Sequence, residues 1–274
     1  MCSHSGCTLQ HPSLNRSPSV LPIPEYNVLS RVYDRWQNTY GSDYSTLILP
    51  RLLATIAKYR IPKTSMLDLA CGTGSLAFMM ARKGWDVCGV DASEGMLAAA
   101  IEKNRRVRPP LRFFRQDMRE LRLPAQVGLV TSMFDSLNHL PSVRDLLRTF
   151  RAVHACLEPG GYFVFDLNNE RCFRTLWTRN EAVHHRDFTL ILQNSYSQER
   201  KAACSQVTLF LRSGQTFERH RELVYERFFP RRDVAQMLRR AGFIVQESTE
   251  FNFTKNPLIG SIKTWWVARK GTSD

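Results

Sequence analysis

The chain has 274 residues, 43% hydrophobic and 23% charged, the balance of an ordinary folded domain, which excludes a disulfide mini-protein, a coiled coil, collagen and whole-chain disorder. No apolar run approaches the ~18 residues of a membrane-spanning helix; the longest, such as Val127 to Val130 and Tyr162 to Phe165, have the length of buried strands. A formal net charge of +13 points towards nucleic acid, an acidic membrane surface or an acidic substrate without choosing among them.

Residues 1–24, rich in Ser and Pro, read as a disordered leader. Cys2, His4, Cys7 and His11 lie close together there, but their spacing matches no usual zinc pattern, so no metal is expected. Seven cysteines scattered without a paired framework, and no charged-then-apolar opening, make the reducing cytoplasm the expected compartment.

Residues 25–60 carry aromatic and apolar residues at helical spacing: Tyr33, Trp36 and Tyr40, then Leu49, Leu52, Leu53 and Ile56. This predicts two helices broken near Gly41 to Asp43. From 61 to 170 strand and helix alternate. Strands are predicted at Met66–Ala70, Val87–Val90, Leu111–Arg115, Val127–Met133 and Tyr162–Leu167, with helices after Gly74, over Glu94–Asn104 and after Ser142, where Ser142 and Asp145 have the form of a capping box. Such alternation implies a parallel sheet covered by helices on both faces. Residues 171–229 change rhythm: Phe188–Tyr196, Cys204–Arg212 and Phe217–Phe229 read as consecutive period-two strands, an antiparallel β-rich insertion. Residues 230–274 return to the first pattern, with a helical stripe at Val234, Met237, Leu238 and Ala241 and strands at Phe243–Phe251 and Ile262–Arg269.

The most informative segment is Leu67-Asp68-Leu69-Ala70-Cys71-Gly72-Thr73-Gly74. A strand entering a glycine turn and then a helix lets backbone approach a ligand closely, because Gly72 and Gly74 have no side chains to block it. Asp91 ends the second strand nineteen residues after Gly72, close to the ~20-residue spacing at which a carboxylate meets ribose hydroxyls. Asp68 stands just before the glycines, Asp117-Met118 follows the third strand, and Glu158-Pro159-Gly160-Gly161 precedes the fifth.

With this constellation the sequence resembles the class I S-adenosylmethionine-dependent methyltransferases, densely over Met66 to Leu167 and more loosely in the last two strands. The resemblance implies a doubly wound, Rossmann-like α/β sheet of seven strands, the last antiparallel, with the β-rich insertion after strand five. It also implies S-adenosylmethionine as cofactor. The positions matching Asp68 and Ala70, Cys71, Gly72 and Gly74 hold its methionine part; that matching Asp91, with Ala92 beside it, binds the ribose. Met96 matches a residue near adenine, Asp117 the position that meets the adenine amino group, and Met118 its neighbour on the ring face. Met133 and Phe134 match the fourth-strand exit, where cofactor meets substrate. A nicotinamide oxidoreductase is the competing reading, but its pyrophosphate is poorly served by a carboxylate at this helix N-terminus.

For the acceptor, the expectation is a small molecule methylated on nitrogen or oxygen. Tyr33, Trp36, Tyr40 and Tyr44 form either a lid over the cofactor or plain helix packing, and the resemblance favours the lid for Tyr33 and Tyr44. His139 has the intrinsic pKa of a general base, although the family often carries histidine there without a catalytic role. Catalytic candidates are therefore His139 and Tyr33; candidate acceptor contacts are Tyr44, Asn138, Arg221 and Tyr225, together with Asp166, Asn168 and Asn169 at the carboxyl end of the fifth strand. Period two over Phe217–Phe229 sets Arg219, Arg221, Tyr225 and Arg227 on one face and Glu218, His220, Glu222 and Glu226 on the other. Were the arginine face turned to the substrate, the acceptor would be anionic; otherwise it is a solvated face. Residues 171–232 carry twelve basic against six acidic side chains. RNA methylation is the alternative the charge suggests, yet the basic residues interleave with acidic ones and form no aromatic-studded stripe.

Overall fold

The computed structural model describes residues 26–39, 42–253 and 259–272. The leader with Cys2, His4, Cys7 and His11, and also Tyr40 and Gly41, lie outside the described residues. Two short helices come first, α1 (Tyr33–Asn38) and α2 (Tyr44–Lys58), the second capped by Asp43, which accepts from the Thr46 N–H at 2.7 Å. The alternating core follows: β1 (Ser65–Leu69), α3 (Ser75–Arg82), β2 (Asp86–Asp91), α4 (Glu94–Asn104), β3 (Arg112–Arg115), β4 (Val127–Ser132), α5 (Val143–Cys156) and β5 (Leu157–Asn168). Then come α6 (Glu170–Thr175), β6 (Glu181–His184), β7 (Phe188–Ser197), β8 (Ala202–Ser213) and β9 (Thr216–Arg227), and finally α7 (Arg231–Arg240), β10 (Phe243–Phe251) and β11 (Lys263–Lys270).

Seven strands form one sheet in the order β10-β11-β5-β4-β1-β2-β3. The five from β3 to β5 are parallel, and β11 runs antiparallel to both β5 and β10. Alternate residues of each strand serve opposite faces. On one face Met66, Leu129, Val164 and Trp265 pack against Ile48 and Leu52 of α2 and Leu76, Ala77 and Met80 of α3. On the other, Leu67, Val130, Phe163, Phe165 and Trp266 meet the apolar stripes of α5 and α7. The capping box is present, with Ser142 Oγ accepting from the Asp145 N–H at 3.1 Å. The second sheet, antiparallel in the order β6-β7-β8-β9, closes a small core in which Phe188, Leu190, Val207, Leu209 and Val224 cover Leu29 and Val32 of the N-terminal segment.

Three details depart from the sequence reading. The strand expected from Tyr162 begins at Leu157: Leu157 pairs with Val127 and Tyr162 with Leu129, so the expected glycine turn sits inside the strand as a bulge. Helix α6 and strand β6 have no clear period because each is too short to show one. Asn169 caps α6, accepting from the Cys172 N–H at 3.1 Å.

Candidate active site

The turn after β1 bends through a run of left-handed residues, Ala70 (φ 57°), Gly72 (φ 55°) and Gly74 (φ 81°). A side chain at Gly74 would press on Phe78 at 2.9 Å and Phe113 at 3.2 Å, so glycine is required there for packing as well as conformation. At Gly72 a Cβ would meet nothing within 4 Å, because the turn opens into a cavity. The Gly72 N–H donates to one oxygen of Asp91 at 2.8 Å and the Ser93 N–H to the other at 2.8 Å. Burial pushes the Asp91 carboxyl up, against those backbone donors.

Asp68 lines the same cavity. One of its oxygens accepts from the Thr131 hydroxyl at 3.1 Å; the other is buried with no hydrogen-bond partner. Burial pushes this carboxyl up to about 7, the response expected of an acid taken out of water without a counter-charge.

Around the cavity stand Ala70, Cys71, Gly72, Asp91, Ala92, Met96, Met118, Met133 and Phe134, together with Tyr26, Tyr33, Asp34 and Tyr44 from the N-terminal segment. That segment is tied to the glycine turn by Thr73, whose hydroxyl donates to Asp34 at 2.6 Å, and Asp34 also pairs with Lys103 at 2.7 Å. Glu222 of β9 accepts from the N–H groups of Val28 and Leu29 at 2.9 and 2.8 Å, anchoring the start of the segment to the second sheet. Tyr33 and Tyr44 are thus walls of the cavity.

A second cavity lies between the N-terminal segment and the four-stranded sheet. Tyr26, Tyr33 and Phe134 line both cavities, so these three side chains form the junction. His139 stands beside it. Its Nδ1–H donates to the Tyr225 carbonyl at 2.8 Å, since a carbonyl can only accept, which leaves Nε2 as an acceptor for the Tyr26 hydroxyl at 2.8 Å. Burial holds the imidazole neutral, below the ordinary histidine range, although the Tyr225 carbonyl and Asp135 favour protonation.

At the floor, Lys263, 1% exposed, forms ion pairs with Asp135 and, at 2.9 Å, with Asp166. Burial works against the lysine charge, but the two carboxylates outweigh it and hold its pKa above the ordinary value. Asp166 also accepts from the Tyr44 hydroxyl and from the N–H groups of Phe134 and Asp135, at 2.9, 2.8 and 2.9 Å. Phe134 and Asp135 are both left-handed, at φ 61° and 53°, strain that these bonds sustain.

Four expected contacts are placed elsewhere. Arg221 is exposed on the outer face of β9, whereas Glu222, Val224 and Glu226 face inward. Tyr225 lies on the outer side with Cys204 and offers the site only its carbonyl. The alternation was right and the side was reversed: Val224 must join the apolar core, and it takes the glutamates in with it. Asn138, fully buried, donates to the Arg227 carbonyl at 2.7 Å and accepts from the Asn168 N–H at 2.9 Å, so it joins β5 to β9 and lines neither cavity. Asp117 turns to Arg119 at 2.6 Å and does not line the first cavity; burial opposes its charge, yet Arg119 holds it below the usual carboxylate range. Asn168 does line the second cavity and donates to Glu226 at 2.9 Å. Tyr26 and Lys263 were missed because each stands in an unremarkable stretch of sequence, and Glu226 was set on the face opposite the expected acceptor contacts; only the tertiary fold brings the three together.

Comparison with known proteins now decides the family. The profile described as "Methyltransferase domain" matches residues 66–161. YqeM of Bacillus subtilis (strain 168), a protein with a provisional methyltransferase assignment, is 31% identical over 210 residues, covering 76% of this chain and 85% of its own. The chain belongs to the class I S-adenosylmethionine-dependent methyltransferases. This methyltransferase is also similar to the dTDP-3-amino-3,4,6-trideoxy-alpha-D-glucopyranose N,N-dimethyltransferase of Streptomyces venezuelae, at 32% identity over 136 residues, 49% of this chain and 55% of that one. Its fold matches the crystal structure of an S-adenosylmethionine-dependent methyltransferase from Clostridium acetobutylicum ATCC 824 with a TM-score of 0.76 and 22% identity, covering 90% of this chain and 99% of that one. The enzyme uses S-adenosylmethionine, and no helix among the described residues is long and apolar enough to cross a membrane.

Proposed function

We propose that the enzyme methylates nitrogen or oxygen of a small-molecule acceptor held beneath the four-stranded sheet. The observation that carries this reading is the junction of two cavities at Tyr26, Tyr33 and Phe134. The donor cavity fits its cofactor: the unmatched buried oxygen of Asp68 suits an ammonium, the carboxylate of Asp91 a vicinal diol, and Met96 and Met118 an apolar ring. When bound, S-adenosylmethionine supplies an electrophilic methyl group. What the chain adds is proximity, orientation and exclusion of water.

The proton of the acceptor has a defined route. It passes to the Tyr26 oxygen as the Tyr26 hydroxyl proton passes to Nε2 of His139, whose tautomer the Tyr225 carbonyl fixes. Tyr33, edge-on to Tyr26 at 6.4 Å between ring centres, shapes the junction and makes no hydrogen bond to His139. The arginine face of β9 is turned away from both cavities, which favours a small molecule over RNA.

Two measurements test this. Calorimetry with S-adenosylmethionine should show binding to the wild type and loss of most of it in Asp91→Ala; a folded variant with near-normal affinity would overturn the donor site. Incubation of the protein with a cell extract and methyl-labelled S-adenosylmethionine should place label in a small molecule, and label confined to RNA or protein would overturn the acceptor reading.

A further inference from the structure

The floor of the second cavity carries unbalanced charge. Asp135 and Glu226, both buried, bring carboxyl oxygens within 4.8 Å of one another, and like charges that close in a dry site are relieved when one proton is held between them. Burial and the neighbouring Asp135 drive Glu226, 3% exposed, far above the ordinary glutamic acid range, so it holds that proton. Asp135 and Asp166 then face one ammonium, that of Lys263. His139 is neutral. One negative charge is left without a matching cation among the described residues of the floor. Half-buried Glu181 and the exposed Arg179 face the same cavity from its rim, where solvent screens them.

Burying such a charge is costly unless something pairs with it. Above it stand the rings of Tyr26, Tyr33, Trp36 and Trp177, whose faces attract cations and repel anions. Asp135, His139 and Glu226 also bring ligand atoms within 4.8 Å of one another, the composition of a metal site. However, Lys263 already occupies Asp135, and both nitrogens of His139 are hydrogen-bonded, so a metal would have to displace these partners. An organic ammonium leaves both hydrogen bonds of His139 in place and can share Asp135 with Lys263, since a carboxylate accepts several hydrogen bonds.

We propose that the methyl acceptor is an amine that enters as its ammonium, docking on Asp135 and Glu226 between the aromatic walls, with its nitrogen at the junction of the two cavities, where it gives one proton to the Tyr26–His139 relay and so frees the lone pair that takes the methyl group as the sulfonium carbon–sulfur bond breaks. This rests on the methyltransferase reading above and reverses the anionic acceptor suggested by the arginines of β9.

The test uses the whole protein loaded with S-adenosylhomocysteine and titrated calorimetrically with matched probes: cyclohexylamine and benzylamine, cyclohexanol and benzyl alcohol, cyclohexanecarboxylate and benzoate. The amines should bind at least tenfold more tightly than the alcohols, and the carboxylates not at all. The double substitution Asp135→Asn with Glu226→Gln, which removes the negative charge wherever the shared proton resides, should erase the preference. The wild-type comparison stands by itself if that variant does not fold. Alcohols or carboxylates binding as well as amines, or no binding by any class to the loaded protein, would overturn the proposal. Failure of S-adenosylhomocysteine itself to bind would instead refute the donor-site reading on which it rests.

Discussion

Replacing Asp68 by asparagine separates the two roles of a buried acid. Its carboxyl lies at about 7 against an ordinary value of 3.8. At 1.36 kcal/mol per pKa unit, keeping it ionised inside the empty protein costs about 4 kcal/mol at alkaline pH. Because the folded value is raised, the cost is absent below the ordinary value, grows as pH rises through the window from 3.8 to about 7, and is complete above it. The asparagine keeps an oxygen for the Thr131 hydroxyl and carries no charge. Without cofactor, Asp68→Asn should therefore be more stable than wild type at pH 8 by roughly 2–4 kcal/mol, which at ~2 °C per kcal/mol for a chain of this size is ~4–8 °C in Tm. At pH 4 the two should coincide.

Cofactor binding should move the opposite way. A hydrogen bond to a charged group contributes about 1.5–3 kcal/mol, so Asp68→Asn should bind S-adenosylmethionine ~10- to 100-fold more weakly. Wild-type affinity should rise roughly eightfold from pH 6 to pH 7.5 as Asp68 ionises, below the range near 8 where a free α-amino group loses its own proton. That rise should vanish in the variant. Scanning calorimetry across pH and isothermal titration supply both readings. A variant no more stable than wild type at pH 8, or a wild-type affinity flat in pH, would refute the assignment of Asp68 as the unmatched acid that meets the cofactor ammonium.

Lys263→Met leaves Asp135 and Asp166 buried together without their counter-ion and should cost ~3–5 kcal/mol in urea denaturation at pH 7. The wild-type contribution from Asp135, whose pKa Lys263 holds below its ordinary value against burial, is present at neutral pH and lost as pH falls through that depressed value, so the deficit should shrink in acid. A loss under ~1 kcal/mol would show that the ion pairs are not formed as described. Arg221→Ala, on the exposed outer face of β9, should change stability by no more than ~0.5 kcal/mol and leave amine binding unaltered; weakened amine binding would show that the arginine face does reach the acceptor.

Much of this was legible along the chain. The alternating strands and helices, the glycine turn and Asp91 are local features: a strand period, a capping residue, a backbone conformation only glycine adopts easily. They appeared where expected, and the observed helix Glu94–Asn104 has the predicted bounds. Asp117 misled because an acidic residue in the expected place has a second option, Arg119 two residues on. Helix α6 and strand β6 escaped notice because one or two turns of either period cannot stand out from chance.

The sequence by itself determined the class of fold and picked out the residues of the proposed donor site, since these are neighbours whose spacing is set by strand and helix geometry. Which charged groups meet at the second cavity was decided only by the tertiary structure. Period two says which residues of β9 share a face, but not which face is buried; that follows from Val224 joining the core under Leu29 and Val32. The same placement buries Glu226 beside Asp135 and Lys263, residues 91 and 128 positions from Asp135 along the chain. A net charge of +13 hinted at an anionic partner, yet it is carried largely on exposed arginines, while Asp135, Asp166 and Glu226 are buried around a single lysine, Lys263.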